Sequence, residues 1–409
     1  MIELDEAQRF VFDSIRPLPP ASCAIEDVNG CVVADAVTAK EAVPGFINSS
    51  MDGFALSAKD TLSGNVDLRV VATIHAGDVA PRRLEPGQAM RIMTGAPLPA
   101  GADCVLMIEE AVTEGDVVTV SRSVERGEFV RQIGDDIDVG QVLFEPGDEL
   151  SAPGIGVLAG QGFTSVLVHP RPRVGVLSTG NEVVGGSDDL QPGQIRDLNR
   201  PLLLALLEQS GVTPIDLGIV RDTRIAISDA LRHGVDTCDA VISTGGVSVG
   251  DVDFVKTVIG DLGGGDARWM QVAIKPAKPF AFGVVGATHT PIFGLPGNPV
   301  STRVSFELFV RPALRRLAGH RVVERLTLDA VLDRPIDRPS DGKLHLVHVD
   351  ARLRDDGCVH VEGSTRRGSH LLNAIVKANA IALVPVGAAT GIGDTVRVIV
   401  IDPDSLVAT

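Results

Sequence analysis

At 409 residues the chain exceeds one ordinary hydrophobic core, so about two to four domains are expected. Its 53 acidic against 37 basic side chains give a formal charge of −16, which argues against nucleic acid as a partner but leaves a phosphorylated substrate open, through local cations or Mg²⁺. Five scattered cysteines with no C-x-x-C pair argue against a zinc site or disulfide framework; with no apolar run near the ~18 residues of a membrane span and no signal-peptide pattern in MIELDEAQRF, a cytoplasmic protein is expected.

A helical pattern over 5–15 has Asp5 as its predicted N-cap and Pro17 as its stop. From about 25 to 150, short runs broken by turn residues predict a β-rich unit: VDLRVVATIHAGD, AMRIMTGAPLP, DCVLMIEEAV and GDVVTVSRSV. With 13 Phe, one Trp and no Tyr, its core must come mainly from Val, Leu, Ile and Ala. Three turns here carry polar groups. INSSMDGFAL places Asp52 before Gly53, RIMTGAPLP holds Thr94 before a glycine, and IGDDID clusters Asp135, Asp136 and Asp138. Composition alone reads the first two as ordinary turns and the last as a solvated acidic patch. SAPGIGVLAGQG (151–162) predicts a short helix, and HPRPR (169–173) a domain boundary.

The next 150 residues alternate strands and helices. RVGVLST (173–179), TPIDLGIV (213–220) and DAVIST (239–244) are buried-strand runs. Helices are predicted over 199–211, capped by Asn199 or Asp197, over 223–234, and through FVKTVIGDLG. Such alternation predicts βαβ crossovers, a parallel sheet between helical layers, and ligands outside the carboxyl ends of the strands.

The loop GGVSVGDVDF (245–254) follows the third strand. Gly245, Gly246 and Gly250 suit a phosphate cradle, but Asp251 stands where a P-loop carries lysine, and Asp253 follows. Backbone N–H groups at a helix start attract anions, and two acids there would bind a phosphate through Mg²⁺. A tight turn with Asp as N-cap is the equally simple reading. Glu182 in STGNEV and Asp222 in VRD follow the two preceding strands. Each alone is an ordinary surface or capping acid, but with Asp253 they fall along one rim of the sheet. In IKPAKPF, prolines at 276 and 279 stiffen the backbone around Lys275 and Lys278, which otherwise read as solvated lysines on an edge strand. GLPGNPVS (294–301) fixes a turn into a further helix.

Beyond about 320, LTLDAVL, KLHLVHVDARL, CVHVEG, AIALVPVG and TVRVIVI predict a small all-β domain. His345 and His348, three apart on a strand, face opposite sides and make poor metal partners. No G-x-S-x-G elbow supports a hydrolase.

Taken together, INSSMDGFAL, MRIMTGAPLPAGAD, IGDDI, RPRVGVLSTGNEV, GQIRDLNRPLL, STGGVSVGDVDF, IKPAKPFAFG, GLPGNPVS and GSHLL (368–372) resemble the molybdopterin molybdenumtransferases, the family that includes gephyrin's C-terminal domain. STGGVSVGD is shared with the molybdopterin adenylyltransferases; INSSMDGFAL and TGAPLPAGAD set the transferases apart. The resemblance implies a multidomain α/β fold. Residues 1–38 and 135–167 would form a small N-terminal domain, 39–134 an inserted β-rich domain, 168–321 a three-layer α/β pterin-binding domain, and 322–409 a C-terminal β-barrel.

It also implies a homodimer that inserts molybdate into adenylylated molybdopterin and releases AMP, with Mg²⁺ required. Molybdopterin adenylyltransferase and acceptor molybdoenzymes are the implied partners. By motif, Asp52, Thr94 and Asp136 would come from one subunit, and Glu182, Asp222, Asp253, Lys275 and Lys278 from the other. Asp222 and Asp253, with Glu182 as a third candidate, would hold Mg²⁺. Gly245, Gly246, Ser248, Gly250, Pro296, Pro299 and Ser369 would complete the substrate contacts. Asp52 and Glu182 would position molybdate or an attacking water. Three departures stand out: Phe54 where the family commonly has Tyr, Ala277 where glycine is frequent, and two aspartates, 135 and 136, competing for one role. The rival readings are an adenylyltransferase, which would work with residues 168–321 alone, and a gephyrin-like scaffold, which could lose its acids freely.

Overall fold

The structure, a computed structural model, describes residues 1–247, 254–263, 267–336, 341–363, 372–388 and 390–407. It divides into two units: Met1–Ala34, Pro146–Ala152 and Leu167–Thr409 form one, Asp35–Glu145 and Pro153–Val166 the other.

In the first unit, helix α1 (Leu4–Asp13) starts one residue before the expected cap, with Glu3 at the N-cap, so Asp5 lies in its first turn. Strands β1 (Arg173–Thr179), β2 (Thr213–Val220), β3 (Ala240–Thr244), β4 (Arg268–Gln271), β5 (Pro279–Val285) and β6 (Thr290–Leu295) make one sheet in the order β2-β1-β3-β6-β5-β4. The first four in that order are parallel, as the crossovers demand; β5 and β4 extend the sheet antiparallel.

Alternation sorts the strand side chains between two cores. Val176, Ile242, Phe282 and Phe293 pack with Ala7 and Val11 of α1, with α2 (Asn199–Gln209) and with Phe306 and Phe309. Their neighbours Leu177, Val241, Ala281 and Ile292 pack with α3 (Arg224–Thr237) and α4 (Phe254–Leu262). These are the three layers expected.

The helical stretch 299–317 is α-helical over Pro299–Ser305 and Arg311–Leu317 but widens to a π-turn at Phe306–Val310. Pro312 has no N–H to give Leu308, and the stranded Leu308 carbonyl accepts from Gln8 Nε2 of α1 at 3.0 Å.

Five strands then close a barrel: β7 (Thr327–Leu332), β8 (Leu344–Leu353), β9 (Val359–Gly363), β10 (Ala380–Val384) and β11 (Thr395–Val400). The ring runs β8-β9-β7-β11-β10 and returns to β8 around a core of Val349, Val361, Ala382 and Val398. The helix Leu372–Lys377 interrupts the all-β pattern expected. The pair Ile274–Lys275 joins the start of β8 in parallel.

The second unit holds a six-stranded sheet in the order Cys104–Met107, Gly53–Leu56, Gln88–Ile92, Val66–Ile74, Val117–Val120, Ala111–Glu114, and all but the first residue of a short helix over Ala152–Gly160. Both faces are covered: Phe54, Leu56, Leu106 and Val118 on one, Ala55, Met90, Ile92 and Val105 on the other. No helix among the described residues is long and apolar enough to cross a membrane.

Candidate functional site

Strand register brings the α/β motifs to one edge of the sheet. Thr179 lies opposite Val220, Ser178 opposite Thr244, and Thr244 opposite Leu295. The loops carrying Glu182, Asp222, Gly245 with Gly246, and Pro296 therefore leave adjacent strands at the same carboxyl end. Because β5 runs antiparallel, it begins where β6 ends; Ala281 opposite Gly294 sets Lys278 level with Gly297. Lys278 thus reaches the rim at the start of β5, while Lys275, three residues earlier, pairs with the first residues of the barrel strand β8. Asn181 Oδ1 accepts from the Asp222 N–H at 3.2 Å and ties the first two loops together. Glu182 is exposed and Asp222 half-buried.

The glycines are required by their surroundings. Gly245 and Gly246 have φ of 94° and 65°. A Cβ on Gly245 would stand 2.6 Å from the Thr179 carbonyl, and one on Gly246 2.7 Å from Val255. Asn199 is buried and does not cap α2. Its Nδ2 donates to Thr244 Oγ1 at 2.8 Å and to the Gly297 carbonyl at 2.7 Å, strapping the glycine loop to the GNP turn. Asp197 accepts from the Arg200 N–H at 3.2 Å and from Ser178 Oγ at 2.9 Å. Thr302 Oγ1 donates to the Pro296 carbonyl at 2.7 Å, and Pro299 opens its helix behind Asn298, which accepts from the Val300 N–H.

Lys275 is not simply solvated: its Nζ pairs with Asp341 at 3.4 Å. Lys278 is half-buried, and Ala277 between them sits buried at φ 72°, a conformation that favours the family's glycine. Ser248, Gly250, Asp251, Asp253 and Ser369 lie outside the described residues.

In the second unit, Asp52 and Thr94 meet. Asp52 Oδ1 accepts from the Thr94 N–H at 2.7 Å and from its hydroxyl at 2.8 Å. Those two hydrogen bonds hold the exposed Asp52 carboxyl below its usual value, the backbone one foremost. Phe54 is buried in the core at 1% exposure, packed with Leu56 and Leu106. Asp135 accepts from the Gln132 N–H at 2.6 Å and closes its own turn. Asp136 is exposed, its N–H held by the Val43 carbonyl at 2.9 Å. The exposed Phe46, Ile47, Met51 and Ile133 are apolar neighbours in sequence of these polar turns.

Among the described residues no three His, Cys, Asp or Glu side chains gather into a metal cluster. What the rim offers is the exposed Glu182 carboxylate and Asp222 on two loops tied together. An all-oxygen set of one or two carboxylates, with room for substrate oxygens, fits Mg²⁺ and does not suit a soft or structural metal.

Comparison with known proteins places these motifs in context. Residues 2–162 match the model of the MoeA N-terminal region, domains I and II, and residues 175–316 that of a probable molybdopterin binding domain. A molybdopterin molybdenumtransferase from Nostoc sp. is 37% identical over 375 residues, 88% of this chain and 83% of that protein. One from Haemophilus influenzae is 33% identical, covering 93% of each. The crystal structure of a molybdopterin biosynthesis MoeA protein from Pyrococcus horikoshii superposes with a TM-score of 0.81 at 28% identity, over 98% of this chain and 99% of that one.

Proposed function

Because this chain belongs to the MoeA family of molybdopterin molybdenumtransferases, and so to molybdenum cofactor assembly, we propose that it inserts molybdate into adenylylated molybdopterin with Mg²⁺-dependent release of AMP. The observation that carries this reading is the sheet edge where the loops of Glu182 and Asp222 leave their strands and Lys278, three residues after Lys275, leads into β5 beside the end of β6. Carboxylates alone would repel a phosphorylated pterin, and lysines alone would not favour a metal.

In this reading Lys275 and Lys278 bind the anionic oxygens of the pterin phosphate or of molybdate. The side-chain-free backbone at Gly245 and Gly246, held in place by Asn199, lets the substrate approach the loop closely. Asp222, Asp253 and Glu182 would hold Mg²⁺, which when bound neutralises charge on the phosphates and eases departure of AMP. Asp52 orients molybdate or a water. Two hydrogen bonds from Thr94 favour its charged form and make it a weak proton acceptor, so positioning suits it better than general-base catalysis. Of the two competing aspartates, Asp136 is assigned to the site, since Asp135 is engaged by the Gln132 N–H.

The same reading makes the protein a cytoplasmic homodimer in which Asp52, Thr94 and Asp136 of one subunit complete the rim of the other. It keeps the four domains at 1–38 with 135–167, 39–134, 168–321 and 322–409, with molybdopterin adenylyltransferase and acceptor molybdoenzymes as partners. The test supplies purified protein with adenylylated molybdopterin, Mg²⁺ and molybdate. Molybdate-dependent AMP release is expected, lost in Asp52→Ala and Asp253→Ala while the fold persists. Release indifferent to molybdate, or untouched by both substitutions, overturns the mechanism.

A further inference from the structure

Lys275 leaves the α/β sheet edge and enters the barrel. Ile274 and Lys275 pair in parallel with Leu344 and His345, the first residues of β8. Residues 341–343, the short segment before β8, therefore lie beside the lysine motif. Asp341, on that segment, is surrounded by three cationic or proton-donating groups. Its Oδ2 lies 3.4 Å from Lys275 Nζ and 3.6 Å from Lys343 Nζ, and its Oδ1 2.8 Å from His345 Nε2. His345 is itself buried in β8, so the imidazole is a fixed support rather than a mobile partner.

We propose that Asp341 is a positioning residue for the transferase reaction, holding the Lys275 ammonium at the rim until an anionic substrate oxygen takes it over. The proposal rests on the assignment of Lys275 to the substrate site. Two features make the handover feasible. The Lys275 side chain is half-exposed, so its pair with Asp341 is weak enough to exchange for a phosphate or molybdate oxygen. When it leaves, Asp341 keeps His345 and Lys343, so no carboxylate is left without a counter-charge. The hydrogen bond from His345, foremost among the causes, holds the Asp341 carboxyl well below its usual range, so it stays charged at working pH. What the pair contributes is orientation: a long side chain is aimed before the substrate arrives, and less freedom is lost on binding.

The experiment compares wild type, Asp341→Asn, Asp341→Glu and Lys275→Ala in molybdate-dependent AMP release, with a ¹³Cε-lysine spectrum of each full-length protein. Asp341→Asn is expected to raise KM for adenylylated molybdopterin about three- to fivefold, the scale of one exposed ion pair, with kcat near wild type. Asp341→Glu should recover most of that loss, which a merely structural defect would not show. In the spectrum the Lys275 signal, assigned by its absence in Lys275→Ala, should move to the position of solvated lysines in Asp341→Asn. An unchanged KM, or a Lys275 signal that does not move, overturns the positioning role. Lys275→Ala separates the two levels: if it turns over like wild type, the site assignment of Lys275 fails, whatever Asp341 does to the spectrum.

Discussion

Gly53 shows how one residue can be fixed by its neighbours. It sits between the strand Gln88–Ile92 and the strand Cys104–Met107, and a methyl group there would fall inside the Leu106 carbonyl. Gly53→Ala should therefore destabilise the β-rich unit by about 3 kcal/mol or more, measured by thermal unfolding, because backbone rather than a pliable side chain must give way. It should also disturb Asp52 beside it. At Asp52 the charged form gains from Thr94, so the folded pKa lies below the unfolded one. That stabilisation is present above the unfolded value and lost only as pH falls through the folded value, well below neutrality. No acid limb between about pH 5 and 8 should then trace to Asp52. Thr94→Val removes the hydroxyl donor, and an NMR titration of the Asp52 carboxyl should show its midpoint rising.

The element scale is clearest in β8. The alternation in LHLVHVDARL marks it as a strand, yet its two histidines have different surroundings. His345 has Asp341; His348 lies at 6% exposure with its Nε2 buried and, among the described residues, without a hydrogen-bond partner. Burial, with Arg303 acting in the same direction, pushes His348 down to about 4. His320, half-buried and beside Arg315, is likewise pushed down to about 4 by desolvation foremost and by that guanidinium. Unfolded histidine titrates near ~6.5, so between there and about 4 the unfolded chain binds more protons than the folded one. Stability should fall on acidification across that window. His348→Gln should remove up to ~1.4 kcal/mol per pH unit from the slope of unfolding free energy against pH. An unaltered slope would place the acid sensitivity elsewhere.

On the scale of the whole molecule, long-range charge and subunit exchange become testable. Glu307, on the π-turn, is fully buried between Arg303 at 3.2 Å and Arg325 at 2.8 Å, and Arg325 also donates to the Ile401 carbonyl after β11. This carboxylate joins the sheet-covering helix to the barrel. Glu307→Gln leaves two half-buried guanidiniums without the carboxylate they share and should cost about 3 kcal/mol in unfolding measurements. The homodimer reading predicts complementation. Asp52→Ala and Asp253→Ala subunits, each inactive alone, should regain about a quarter of wild-type turnover after mixing and subunit exchange. Half the dimers would be mixed, and each would carry one intact site. If both groups serve within a single subunit, mixing restores nothing.

The sequence determined what depends on nearest neighbours and period. Strand and helix runs in 173–295, the β-rich character of the segment before 150 and the barrel strands all follow from alternation, turn residues and glycine placement, and the motif acids could be assigned to strand ends from chain order. What it could not show were partnerships across hundreds of residues. Asn199 reads locally as a cap and becomes a strap only because β3 and β6 are adjacent. Gln8 answers a proline 304 positions away through the Leu308 carbonyl. Asp341 sits in no motif, and its contact with Lys275 exists because a two-residue strand pairs with the barrel. Phe54 reads locally as part of the MDGF turn, and strand pairing is what buries its ring in the core. Local pattern is set by side-chain type and backbone geometry, which the sequence contains. The partner of each polar group is set by which elements become neighbours, and that is decided only when the sheet and barrel close.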